Sequence, residues 1–185
     1  MKHTYKKLLR GFLLTAFTSG LTSLAMHIFS AFPHHSFPFA PLAAFGTVAG
    51  GMLFWAFCCT AISLHAKCGM HASLLVLCFH LPWLLCAAFF ARHMGLGTLC
   101  SGTFPIFALL GIPSAALAWV VNANRQHLWM RMLLYFGGAL TAAFDAQHVL
   151  YGAALVYLAE MCLLVALARM IYYAGKHRGR LALVA

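Results

Sequence analysis

Long apolar runs, separated only by short polar links, are what most restricts the folds open to this chain. Each run reaches the roughly 20 residues that a helix needs to cross the hydrocarbon core of a bilayer. Only 8% of the 185 residues are charged, against about 25% in an ordinary soluble domain. The expected fold class is therefore an all-α integral membrane protein. It forms one transmembrane domain, residues 1–185, because no polar stretch is long enough to fold separately.

Six spans are expected, over about 8–30, 42–64, 72–91, 104–121, 128–144 and, after a tight turn at 145–148, on to 173. Lys2, Lys6, Lys7 and Arg10 precede the first run in the manner of a signal peptide. That run is longer than a signal core and lacks a small-x-small cleavage site, so it reads as a retained helix. Six spans put both termini on one side. The amino end, Lys67, Arg125, Arg131, Arg169 and the tail hold eleven of the twelve Lys and Arg, and Arg92 stands alone opposite. The positive-inside rule then makes both termini cytoplasmic, in the cell's inner (plasma) membrane. These cations are dispersed at helix ends, so the net charge of +10 points to the lipid bilayer and not to nucleic acid.

On this topology the outer rim collects His27, His34, His35, His93, Cys100, Asp145 and His148 from four separate segments. Imidazole and thiolate bind transition metals, and imidazole also ligates cobalt or iron macrocycles. The 32–41 stretch, Phe-Pro-His-His-Ser-Phe-Pro-Phe-Ala-Pro, could cover a ligand with its aromatic side chains, Phe37 among them. Expected ligand-binding residues are His27, His34, Phe37, His93, Cys100, Asp145 and His148, with His34, Cys100 and His148 as metal ligands. Ordinary interfacial polarity is the alternative for each.

His80 and Glu160 lie about ten residues from the ends of their helices, near the midplane at about 1.5 Å rise per residue. An isolated charge there is costly. They are expected to bond to each other or to line one cavity. Most of the seven cysteines read as small core residues. That includes the vicinal pair Cys58-Cys59, which resembles the paired thiols of mercury-uptake membrane proteins. Ala16-x-x-x-Gly20 and Ser19-x-x-x-Ser23 are small faces that let another helix come close.

Cys100-Ser101-Gly102, Asn122-x-x-Arg125 and His148-x-x-x-Gly152 resemble the Cys, Arg and His motifs of exosortase-type membrane transpeptidases. The resemblance implies a thiolate nucleophile, a proton-transferring His and a charge-stabilising Arg. One span lies between Cys100 and Arg125, which sets them about 30 Å apart. A haem-binding membrane cytochrome is a further option. His80 would then pair with Met52 or Met161, or His27 with His148 at the rim.

Pro33-His34 followed by Phe37-x-Phe39-x-Pro41-Leu42-Ala43-Ala44-Phe45-Gly46 resembles a first-loop pattern of small six-helix proteins related to S-components. These are the substrate-binding subunits of energy-coupling-factor vitamin transporters. The match covers Pro33, His34, Phe37 and Pro41. It implies a vitamin, with cobalamin or haem as candidates, bound in a cavity open to the outside, and energising subunits as partners. Some such subunits work alone, and a cobalamin-specific type places a cysteine thiolate on the cobalt. No cysteine here matches that thiolate by motif. The leading expectation is a membrane uptake subunit for a cofactor-sized solute, a transport protein rather than an enzyme.

Overall fold

The computed structural model describes residues 2–29, 40–93, 104–148 and 154–176. They form seven helices and, among the described residues, no strand. These are α1 (Lys2–Phe29), α2 (Ala40–Gly50), α3 (Met52–His65), α4 (Gly69–His93), α5 (Phe104–Asn124), α6 (Leu128–His148) and α7 (Ala154–Lys176). Leu9–Phe29, Gly69–Phe90 and Val156–Ala174 are each long and apolar enough to cross a membrane. Pro41–Gly50 and Met52–His65 make a fourth such span when taken together, bent by 63° at the break between them.

Two expectations are corrected here. The run 42–64 is not one helix, because it breaks at Gly51. Residues 145–148 are not a turn, because α6 continues through them to His148. Pro82 and Pro113 both sit inside helices, α4 and α5.

Hydroxyl groups in α1 satisfy themselves within the helix. Thr15, Thr18 and Thr22 each donate to the carbonyl four residues back, at 2.9, 2.9 and 2.8 Å. This hides a polar group where lipid would offer it no partner. The buried serines reach across instead. Ser19 Oγ donates to the Phe79 carbonyl and Ser23 Oγ to the Trp83 carbonyl, on either side of Pro82. A Cβ on Gly20 would lie 3.6 Å from that of Pro82. The small face of α1 is thus what lets α4 pack against it, with the two helices running parallel.

Elsewhere the helix directions follow from side-chain pairings. The end of α5 meets the end of α3, through Asn122 and Ser63. Tyr135 of α6 donates to the Ala168 carbonyl of α7, and a Cβ on Gly138 would strike Leu167, so α6 and α7 are antiparallel. In the bundle α3 is central and packs on α2, α4, α5, α6 and α7. Around it α1 packs on α4 and α2, α4 on α5, α6 on α7, and α7 on α2. The ring is not closed. Helices α5 and α6, neighbours in sequence, do not pack closely on each other.

The α1–α4 seam yields a stability test. Ser19→Leu removes a hydrogen bond and forces a large side chain into a fully buried position. It should cost about 1–3 kcal/mol and lower the unfolding temperature in detergent, while Leu14→Ala on the exposed face of α1 leaves it nearly unchanged. Equal melting of Ser19→Leu and the parent chain would show that α1 and α4 do not meet at this face.

Candidate functional site

A helix that begins inside an apolar bundle exposes up to four N–H groups there, and its last four carbonyls need partners at the other end. Helix α3 begins in this way at Met52 and ends at His65, beside an exposed link. Its N-cap, Gly51, has extended backbone and no side chain to cap with. Asp145 of α6 supplies the cap. One carboxylate oxygen accepts from Met52 N–H at 2.9 Å and the other from Leu53 N–H at 2.6 Å. A carboxylate against a helix N-terminus also meets the positive end of its dipole. Gly51 is required for this approach, since a Cβ there would lie 2.8 Å from Asp145 Oδ2 and 3.2 Å from the Val48 carbonyl oxygen.

The other end of α3 is closed from α5 and the link after it. Asn122 Nδ2 donates to the carbonyls of Ser63 (2.7 Å) and Ala66 (2.9 Å). Arg125 Nη1 donates to those of Leu64 (2.8 Å) and Ala66 (3.1 Å). A cation at a helix C-terminus is again the favourable sign. The guanidinium that resembles the exosortase Arg is therefore committed to backbone, and Asn122 beside it likewise.

Between α5 and α6, where the ring is open, one face of α3 forms the floor of a cleft. Its volume is about 530 Å³, inside the ~300–1,000 Å³ range of small-molecule sites. Met52, Trp55, Cys59 and Ser63 mark its floor. At about 1.5 Å per residue that floor is roughly 17 Å long. Leu117 of α5 and Leu133 of α6 flank the mouth, 59% and 55% exposed. The cleft thus opens sideways, to whatever surrounds the bundle.

His80 is the imidazole in this cleft. It is 3% exposed and held edge-on to Trp55, ring centroids 4.5 Å apart. Its Nδ1 lies 3.1 Å from the Val76 carbonyl oxygen. A carbonyl can only accept, so Nδ1 carries the hydrogen and the neutral ring keeps its lone pair on Nε2. On the Nε2 side, Cδ2 is the ring atom nearest to Gly111. The imidazole can accept a hydrogen bond from a ligand or coordinate a metal centre.

The expected bond between His80 and Glu160 is not made, and Glu160 does not line the cleft that holds His80. His80 points toward Trp55 and α5, whereas Glu160 is within electrostatic reach of Asp145 on the other side of α3. Both are buried, as expected of midplane polar residues. His27, expected as an open rim ligand, is instead buried between α1 and α4. Its Nδ1 lies 2.7 Å from the Ser23 carbonyl oxygen and its ring stacks on Phe90 at 4.8 Å. Asp145 caps a helix from within α6 and does not line the cleft. His34, Phe37 and Cys100 lie outside the described residues. His93 and His148 are the last residues of α4 and α6, at the end of the bundle where α1 also finishes. Among the described residues no group of three His, Cys, Asp or Glu is placed to hold a metal ion.

No protein-family model matches this chain, and no curated protein or solved structure is similar to it.

The cap predicts a graded loss. Asp145→Asn keeps one acceptor but turns an amide N–H₂ toward a backbone donor, and Asp145→Ala leaves two buried N–H groups with nothing. Hydrogen bonds to charged groups contribute about 1.5–3 kcal/mol each, so Asp145→Ala should destabilise by about 3 kcal/mol or more and Asp145→Asn by less. Gly51→Ala should resemble Asp145→Ala, because its methyl group displaces the carboxylate. Thermal unfolding in detergent measures all three. A Gly51→Ala protein as stable as the parent would remove the cap from this account.

Proposed function

We propose that the chain is a six-crossing membrane protein with both termini in the cytoplasm, which holds a cofactor-sized, largely apolar solute in the α5–α6 cleft. In this reading it acts as the solute-binding subunit of an uptake system. The observation that carries it is His80, with Nδ1 spoken for and Nε2 without a hydrogen-bond partner among the described residues, on a cleft whose other lining is largely apolar. Such a site fits a molecule with an apolar body and one polar group or metal centre. A cobalamin with its nucleotide tail is larger than this space, so the smaller candidates are favoured.

Alternating helix directions support the topology. Helices α1, α4 and α6 run one way and α3, α5 and α7 the other, as six successive crossings require. The exposed Cys68, beside Lys67 in the link between α3 and α4, then faces the cytoplasm. An impermeant thiol reagent should label Cys68 only after the cells are permeabilised. Labelling of Cys68 in intact cells would invert the arrangement.

A haem ligand is the second reading, favoured by one placement. Met52 lines the same cleft as His80, whereas Met161 is 58% exposed on the outside of α7. Thioether and imidazole together are a known axial pair for haem iron.

Purification in mild detergent, followed by absorbance and mass spectrometry of extracted small molecules, tests both. Gly137 lines the cleft and a Cβ there meets nothing within 4 Å, so Gly137→Phe fills the space without disturbing the fold. The parent protein should carry a bound small molecule that Gly137→Phe excludes and that His80→Ala retains at least tenfold more weakly. A Soret band lost in His80→Ala identifies haem. Equal retention by all three proteins would mean that the cleft is only a lipid-filled gap.

A further inference from the structure

The chain has two acidic side chains, Asp145 and Glu160, and the fold brings them to the same place. Both are over nine-tenths buried, beside the break between α2 and α3. Their circumstances differ sharply. Asp145 uses both oxygens to accept backbone N–H groups. Glu160 makes no hydrogen bond to any described residue.

Among the described residues the groups around Glu160 offer it no counter-charge. Helix α7 packs on α2, α3 and α6. Helix α2 has no titratable side chain. Helix α3 brings Cys58, Cys59 and His65. On α6 the titratable residues besides Asp145 are Arg131, Tyr135 and His148, the last of which ends the helix with its side chain outside the described ones. Arg131 is fourteen residues from Asp145, about 21 Å along the helix. On α7 itself Tyr157 and Cys162 are near in sequence, and Arg169 is nine residues, about 13 Å, away. Asp145 is the charged group that acts on Glu160, and its sign is negative. Among the described residues Glu160 has no hydrogen-bond donor, and a buried carboxylate without one is costly to hold ionised.

We propose that Glu160 is a proton-binding site at the broken span: at neutral pH it holds one exchangeable proton beside Asp145, whose two oxygens are both taken up by backbone N–H groups. The exchange is a simple one, carboxylate plus proton giving the neutral acid, with no other co-reactant. It gives the bundle a group through which a proton gradient can act. The break offers the means, since the neutral acid has an O–H to donate and α2, on which α7 packs, ends there at Gly50. Loss of the proton instead places a second carboxylate in competition for the N–H groups of Met52 and Leu53, at the end of α3 that floors the cleft. The site itself does not depend on what the cleft binds.

Infrared spectroscopy of the full-length protein in lipid tests this directly, because so few carboxyl groups contribute. The parent protein at pH 7 should show one carbonyl stretch of a protonated carboxylic acid, which shifts on exchange into deuterium oxide. The band should vanish in Glu160→Gln and persist in Asp145→Asn. If Glu160→Gln does not fold, biosynthetic labelling with heavy-carbon glutamate shifts the band in the parent chain, where Glu160 is the one glutamate. Absence of the band at neutral pH, or its survival in Glu160→Gln, or its failure to move with labelled glutamate, overturns the proposal. So does a band that appears only when sodium is removed, since the site would then belong to a metal cation. Loss of cleft binding in Gly137→Phe leaves the band in place, so the two readings fail separately.

Discussion

The fold turns on how a short helix that begins within an apolar bundle has both its ends bonded by side chains from later in the chain. Helix α3 is bonded at its amino end by Asp145 and at its carboxyl end by Asn122 and Arg125. Six hydrogen bonds of this kind, four of them to or from charged groups, replace the water that a soluble helix would use. The signs match the dipole at both ends, acid at the start and base at the finish. Because α3 touches five other helices, whatever holds its two ends also sets the register of the whole bundle.

Apolar run length made the helical class legible, and the Ser19-x-x-x-Ser23 spacing made the close face of α1 legible too. The broken span was not. Gly50-Gly51 inside an apolar run reads as two small residues, since hydropathy says nothing about where hydrogen bonding within a helix stops. Asp145, near the end of its run, reads as an interfacial acid. Its role becomes visible only beside an N-terminus that lies 92 residues earlier in the chain. The signal was a conjunction: a lone acid in an apolar sequence needs a positive partner, and a glycine pair can supply one by ending a helix. Asn122 and Arg125, three apart and hence on one helical face, could have been read in the same way as a pair facing exposed carbonyls.

The candidate site was half legible. His80 stood out as a deep imidazole, but pairing it with Glu160 assumed that two polar groups at similar depth must meet. Helix α3 lies between them. Each meets its own surroundings, an aromatic and apolar cleft for one and a second carboxylate for the other. The outer residues His34, Phe37 and Cys100 lie outside the described residues, and the site that the described residues form is the cleft beside His80. Its openness has a sequence basis in Gly137 and Thr141 on α6, small residues where a closed bundle would place larger ones.

The capping arrangement also bears on how the chain is made. Helix α3 is synthesised early, yet Asn122 follows Ser63 by 59 residues and Asp145 follows Leu53 by 92. Until those residues emerge from the ribosome, the central helix has open ends that nothing in the first half of the chain can close. Capping of α3 therefore waits for α5 and α6. A chain cut short before α6 would leave the N–H groups of Met52 and Leu53 without the carboxylate that accepts from them.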